Sequence, residues 1–221
     1  MRWLQWVLAI LFPPKCILCE KLLEKEETDL CRTCRREALE YPAGKRKPHF
    51  LDSFVAVWYY EGYIRKSLLR YKFGRRRNYA PAYGRLLAMR IQKEYPEGIE
   101  CLTWVPVSAF RKFSRGFDQV ELIARAVGKE LGIPPVCTLK KIRHNRRQSR
   151  ITGAAQRRAN VLGAYRAQNV SAFQGKRVLL LDDILTTGAT VEECARVLLT
   201  AGAKEVHCAA MAAPRTQKEL K

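Results

Sequence analysis

Two hundred and twenty-one residues, 48% hydrophobic and 28% charged, describe a folded globular chain with one sizeable core and room for a small appendage. That balance excludes a disordered segment, a collagen-like repeat and a transmembrane bundle. The 41 Lys and Arg against 21 Asp and Glu leave a net charge of +20, so the expected partners are polyanions: nucleic acid, a phosphorylated metabolite or an anionic lipid surface.

The chain opens on Met1 to Phe12, apolar except for Arg2 and Gln5, with Trp3, Leu4, Val7, Leu8 and Leu11 on one helical face. The stretch is too short to span a bilayer, which takes about 20 apolar residues, and Phe12-Pro13-Pro14-Lys15 offers no small-residue cleavage site. A cytoplasmic protein with no transmembrane segment is expected. The helix either packs on its own domain or docks peripherally on the inner face of the membrane or on a partner.

Cys16-x2-Cys19 and Cys31-x2-Cys34 follow. Two residues between thiols let both sulfurs of a turn face one centre, and two such turns complete a tetrahedron around structural Zn²⁺ at about 2.3 Å per bond. Disulfides or a redox pair are the alternatives, disfavoured where thiols stay reduced. Cys101, Cys137, Cys194 and Cys208 stand alone in apolar surroundings and read as small buried hydrophobes. Tyr41 to Pro48, rich in Pro, Gly and basic residues, reads as a linker. The expected organisation is therefore residues 1–50 as helix, zinc module and basic linker, and 51–221 as a second domain.

In that second domain strand-like and helical runs alternate, the pattern of an α/β fold with a mainly parallel sheet flanked by helices. Strands are expected at Phe54–Tyr60, Leu102–Val107, Val178–Leu181 and Val206–Met211, and helices at Tyr63–Lys72, Tyr79–Glu94, Gln119–Leu131 and Thr190–Ala201. Two stretches carry the charge. Arg65 to Arg77 holds seven basic residues and no acid; Leu131 to Leu181 holds 11 basic residues and no acid in 51. A solvated face is the plain reading of a charge run, but without counter-charge self-repulsion is costly unless an anion relieves it. Ile142 to Asn160, polar and short of apolar anchors, reads as a mobile hood over a site. Tyr63, Tyr71, Phe73 and Tyr79, interleaved with cations, suit a surface for single-stranded nucleic acid. Lys72 extends that positive surface, or is an ordinary helix-end lysine.

Val178 to Thr190 is the most informative segment: an apolar strand, Asp182-Asp183, then the turn Thr186-Thr187-Gly188-Ala189-Thr190 opening an amphipathic helix. Amides at a helix N-terminus with Thr hydroxyls cradle a phosphate, and Gly188 lets the backbone come close. The carboxylates can accept hydrogen bonds from a sugar diol or help hold Mg²⁺. A P-loop ATPase is excluded, because Gly128-Lys129 is followed by Glu130 and Gly175-Lys176 by Arg177, not by Ser or Thr.

These thirteen residues resemble the phosphoribosyl pyrophosphate (PRPP) motif of type I phosphoribosyltransferases. Together with the four N-terminal cysteines, Val105-Pro106-Val107, Arg111, Arg115-Gly116-Phe117-Asp118-Gln119, Arg147-Gln148 and Arg157-Arg158-Ala159-Asn160-Val161, they make the chain similar to the ComF family of competence-associated, phosphoribosyltransferase-like proteins. Asp118 stands where that family usually has Asn, and Arg157 where Glu is common.

The resemblance implies that Asp182 and Asp183 face the ribose hydroxyls and that Thr186 to Thr190 hold the 5′-phosphate. It further implies a pyrophosphate loop at Val107, Ser108, Ala109 and Arg111, with Arg115 nearby, and Mg²⁺ bound with PRPP. Lys72, Arg147, Gln148 and Arg158 are candidates for reaching the ligand or a nucleic-acid backbone. The implied role is handling single-stranded DNA during uptake in natural transformation, beside other uptake proteins. A nucleobase-salvage transferase is the alternative, and a zinc-bearing adaptor with a vestigial pocket a third reading.

Overall fold

The computed structural model describes residues 13–44, 48–74, 76–95, 98–143 and 154–215. The expected N-terminal helix, Lys45 to Lys47 of the basic linker, and the candidates Arg147 and Gln148 lie outside the described residues.

Four strands, β1 (Ser53–Tyr59), β2 (Cys101–Trp104), β5 (Arg177–Ile184) and β6 (Glu205–Ala213), form one sheet in the order β1-β6-β5-β2, every pair parallel. Strands β3 (Leu139–Lys141) and β4 (Tyr165–Ala167) form a separate antiparallel pair. The helices are α1 (Arg32–Glu37), α2 (Gly62–Phe73), α3 (Ala80–Glu94), α4 (Ala109–Arg115), α5 (Gln119–Leu131), α6 (Ala154–Val161) and α7 (Ala189–Thr200). A parallel sheet covered on both faces explains why its strands read as unbroken apolar runs.

The side-chain period of two divides the core. Leu179 and Leu181 of β5 pack on one face with Leu68, Leu87 and Ile123 of α2, α3 and α5. Val178 and Leu180 face the other way, onto Val191, Cys194 and Leu198 of α7 and Tyr165 of β4. Helices α3 and α5 touch so closely that a Cβ on Gly84 would collide with Ala126. Because α5 follows β2 and α7 follows β5 on opposite faces, the carboxyl ends of these neighbouring strands open onto a crevice, where ligands bind in open α/β sheets.

Three expectations need correction. The linker reading fails at Tyr41, which is fully buried against the rings of Phe54 and Tyr59. Its N–H donates to the Val57 carbonyl at 3.1 Å, so the chain here is an edge addition to β1. The hood expected at Ile142–Asn160 is helical in its last part, where α6 occupies 154–161, and its residues 144–153 lie outside the described residues. Strand β5 runs through both aspartates to Ile184 instead of ending before them, since Asp182 pairs with Ala210 and Ile184 with Ala212. By contrast β2 stops at Trp104; Val105 N still donates to the Leu181 carbonyl at 2.9 Å, and Pro106 after it has no N–H to carry the ladder further.

Candidate functional site

The crevice is a cavity of about 540 Å³. Asp182 and Asp183 line it together with six cations: Arg65, Lys72, Arg111, Arg115, Lys141 and Arg157. Such a cationic surplus suits a polyanionic ligand.

Because β5 continues through them, the two aspartates point to opposite faces of the sheet. Asp183, almost fully buried, turns toward α2 and α5. Its Oδ1 lies 2.9 Å from Lys72 Nζ, and its Oδ2 accepts from Gln119 Nε2 at 3.1 Å. Gln119 also lines the cavity, and its buried Oε1 has no partner among the described residues. Asp182 is half-buried on the other face, and its Oδ1 accepts the Asp183 N–H at 2.8 Å. Burial, and then the Asp183 charge, push the Asp182 carboxyl up to about 8.

Lys141 of β3 moves the opposite way. Burial, reinforced by the Arg111 charge, lowers its ammonium to about 8, while its Nζ donates to the Tyr165 hydroxyl at 3.1 Å. An acid raised and a lysine lowered in one cavity form a titratable pair near neutrality, a feature concentrated at functional sites.

The turn between β5 and α7 completes the wall. Thr186, Gly188, Ala189 and Thr190 line the cavity, whereas Thr187 does not, its Oγ1 accepting the Ala189 N–H at 3.5 Å. Gly188 is the N-cap of α7 at φ +90°, a conformation that glycine adopts without a Cβ penalty. The first amides of α7 have no partner within the helix and form an anion-binding end.

Across the crevice Val107, Arg111 and Arg115 line the cavity, while Ser108 and Ala109 do not. Ser108 is buried as the N-cap of α4, its side chain accepting from Arg111 N. Asp118 ties this loop down: Oδ2 accepts from Val107 N at 3.1 Å, and Oδ1 from Val120 N and Glu121 N at 3.0 and 3.2 Å as the cap of α5. Burial raises the Asp118 carboxyl, outweighing those three bonds. The Asp118 carboxylate thus joins the loop after β2 to α5 with acceptors on both oxygens.

Arg158 is not brought to the cavity; its Nε pairs with Glu192 Oε2 at 3.3 Å, while its neighbour Arg157 lines the wall. Tyr71 and Tyr79 are buried and offer no stacking face, Tyr71 donating to the Gln119 carbonyl at 2.7 Å. Gln119, Lys141 and Arg157 were missed as cavity residues. Arg157 and Lys141 sit within the acid-free run, and that run was the signal available for them. Gln119 stands in the sequence both as the first residue of a helix and as the end of the Arg115–Gln119 motif.

The second centre is the cysteine knuckle. The Sγ atoms of Cys16, Cys19, Cys31 and Cys34 lie within 4.8 Å of one another, with Cys19 and Cys31 at 3.7 Å. Bonds of about 2.3 Å from a tetrahedral metal put sulfurs roughly 3.8 Å apart, so the four thiols fit structural Zn²⁺. The knuckle is packed onto the α/β body. Ile17, Leu18 and Leu30 share the core of α2 and α3, Ser67 Oγ donates to the Ile17 carbonyl, and Arg70 Nη2 donates to the Leu18 carbonyl at 2.6 Å. Arg85 clasps Asp29 through two bonds of 2.9 and 2.5 Å. Of the isolated cysteines, Cys101, Cys194 and Cys208 are buried as expected; Cys137 is half-buried. No helix among the described residues is long and apolar enough to cross a membrane.

Comparison with known proteins agrees with this geometry. A phosphoribosyl transferase domain model matches residues 115–221, and a double zinc ribbon domain model matches residues 7–46. Competence protein F of Haemophilus influenzae is 26% identical over 219 residues, covering 87% of this chain and 93% of that one. The DNA utilization protein YhgH of Escherichia coli is 28% identical over 203 residues, 86% of each chain. Competence protein ComFC of Bacillus subtilis is 26% identical over 196 residues, 85% of this chain and 78% of that one. With a parallel sheet, a crevice lined by the acidic pair and its Thr-Gly turn, and a four-thiol ribbon near its N-terminal end, this chain has a type I phosphoribosyltransferase-like fold carrying a structural zinc site, and over most of its length it is similar to competence protein F, YhgH and ComFC.

Proposed function

We propose that this protein binds a phosphoribosyl pyrophosphate in the crevice, binds single-stranded DNA on its cationic surface, and serves DNA uptake in the cytoplasm. The observation that carries the first part is the cavity wall itself: the Thr186–Thr190 turn at the N-terminus of α7, the acids beside it, and six cations around them. In this reading the first amides of α7 take the 5′-phosphate, and Arg111, Arg115 and Lys141 take the pyrophosphate. The buried Oε1 of Gln119 accepts from a ligand hydroxyl. Lys72 and Gln119 hold Asp183 in place, while Asp182 offers its carboxylate to the ribose diol. Mg²⁺ arriving with the pyrophosphate would meet oxygen donors of suitable hardness in Asp182 and the ligand, and would neutralise leaving-group charge.

The DNA part rests on the acid-free basic stretches and on the names borne by the relatives, competence protein and DNA utilization protein. A thermal-shift titration with PRPP and Mg²⁺, repeated on Asp182→Asn, tests the cavity; stabilisation growing with the logarithm of ligand concentration is expected for the wild type and not for the variant. Salt-sensitive binding of a single-stranded oligonucleotide tests the second part.

A second reading, active nucleobase salvage, is favoured by Asp182 and Lys141, two cavity residues that burial shifts toward neutrality from opposite sides. Release of pyrophosphate from PRPP with one member of a nucleobase panel would establish it, and no release across the panel would remove it.

A further inference from the structure

Helix α4 contributes no buried side chain. It is held by polar contacts: the Ser108 cap, the Lys112 to Glu121 pair at 2.9 Å, and Arg77 Nη2 donating to the carbonyl of Gly116 at 2.6 Å. Its apolar residues are nevertheless large, and Phe110 and Phe113 are 66% and 88% exposed. At i and i+3 they share one face, while Arg111 and Arg115, at i and i+4, share another roughly 150° away and line the cavity. Phe73 at the end of α2 is 60% exposed, lines the cavity too, and carries the Arg115 guanidinium 5.1 Å from its ring centre.

Phe110 and Phe113 therefore form an exposed aromatic ridge on one face of α4, whose other face, Arg111 and Arg115, lines the cavity where Phe73 also lies. Lys112 and Arg115 stand on the same helix, and Arg77 reaches its end at Gly116. The core of a protein interface is depleted of lysine and acidic residues. Cations interleaved with exposed aromatic faces instead match a strand whose phosphates pair with the arginines and whose unpaired bases stack on the rings.

We propose that the aromatic face of α4 is the base-stacking platform for single-stranded DNA, and that a strand lying on it runs along the lip of the phosphoribosyl cavity. This inference rests on the single-strand-binding reading above and relocates its aromatic contacts from the buried Tyr71 and Tyr79 to Phe110 and Phe113. Duplex DNA, whose bases are already stacked, gains little from the ridge.

The test is fluorescence anisotropy with a labelled oligothymidylate of about 15 nucleotides, near the upper site size of single-strand grooves, comparing wild type with Phe110→Ala/Phe113→Ala. Both rings are exposed and neither lines the cavity, so the variant should fold and keep its PRPP thermal shift. Loss of about tenfold or more in oligonucleotide affinity is expected, with an unchanged salt slope because no phosphate contact is removed. Phe113→Trp should report the same contact by quenching of its fluorescence on strand binding. Equal affinity of wild type and variant overturns the ridge while leaving strand binding elsewhere intact. No oligonucleotide binding by wild type removes the parent reading and the ridge with it. Loss of binding to phosphatidylglycerol vesicles without loss of oligonucleotide binding identifies the rings as membrane anchors and overturns the proposal.

Discussion

Replacing Asp182 by Asn should make the ligand-free protein more stable while abolishing its response to PRPP. In the cavity wall, burial and the Asp183 charge raise this carboxyl from 3.8 to about 8. Between those values the folded protein holds a proton that the unfolded chain has released, so stability falls as pH rises through that window. At about 1.4 kcal/mol per unit, an unscreened group would lose on the order of 4 kcal/mol by pH 7. Partial exposure to water reduces this to about 1–2 kcal/mol. Asparagine keeps an Oδ1 for the Asp183 N–H and carries no charge to desolvate. Its Tm at pH 7 should therefore rise by roughly 2–8 °C for a chain of this size, and the decline of Tm between pH 5 and pH 8 should flatten. Differential scanning calorimetry across that range reads both. A Tm below wild type at every pH, or an unaltered pH slope, would refute the electrostatic account of the site.

Four further outcomes follow from the same contacts. Lys72→Met strands the almost fully buried Asp183 with Gln119 alone and should cost about 3 kcal/mol; adding Asp183→Asn should recover most of it in a urea-denaturation double-mutant cycle. Asp118→Ala removes three N–H acceptors and should cost about 2 kcal/mol, with weaker pyrophosphate binding by calorimetry because the Val107 loop is released. Chelating zinc should lower the Tm of the whole chain in a single transition, since Ile17, Leu18 and Leu30 belong to the core of α2 and α3; an unchanged α/β transition would show the knuckle to be energetically separate. Gly84→Ala forces a methyl group into Ala126 and should cost about 1–3 kcal/mol by overpacking α3 against α5, measurable by urea denaturation.

Much of the architecture could be read in one dimension because it depends on local periodicity. The expected helix at Gln119–Leu131 is α5, and the expected helices and strands elsewhere in the α/β body lie within a few residues of α2, α3, α7 and the four sheet strands. The knuckle was legible because two Cys-x2-Cys turns restrict where four sulfurs can meet. Short elements escaped: α4 buries nothing and has no apolar period to detect, and β3 and β4 have three residues each.

The sequence by itself determined the kinds of chemistry present: four metal-binding thiols, a hydroxyl-rich turn after an acidic pair, and a surplus of cations with no local counter-charge. Only the tertiary structure decided which of those groups meet. The extra register of β5 turned Asp182 and Asp183 to opposite faces, giving Asp183 to Lys72 and leaving Asp182 with Lys141 across the cavity. It sent Arg158 to Glu192 and Arg157 to the cleft, and buried Tyr71 while exposing Phe113. The physical reason is that periodicity and residue type are carried along the chain, whereas charge partners and burial are set by segments far apart in sequence that packing brings within a few ångströms.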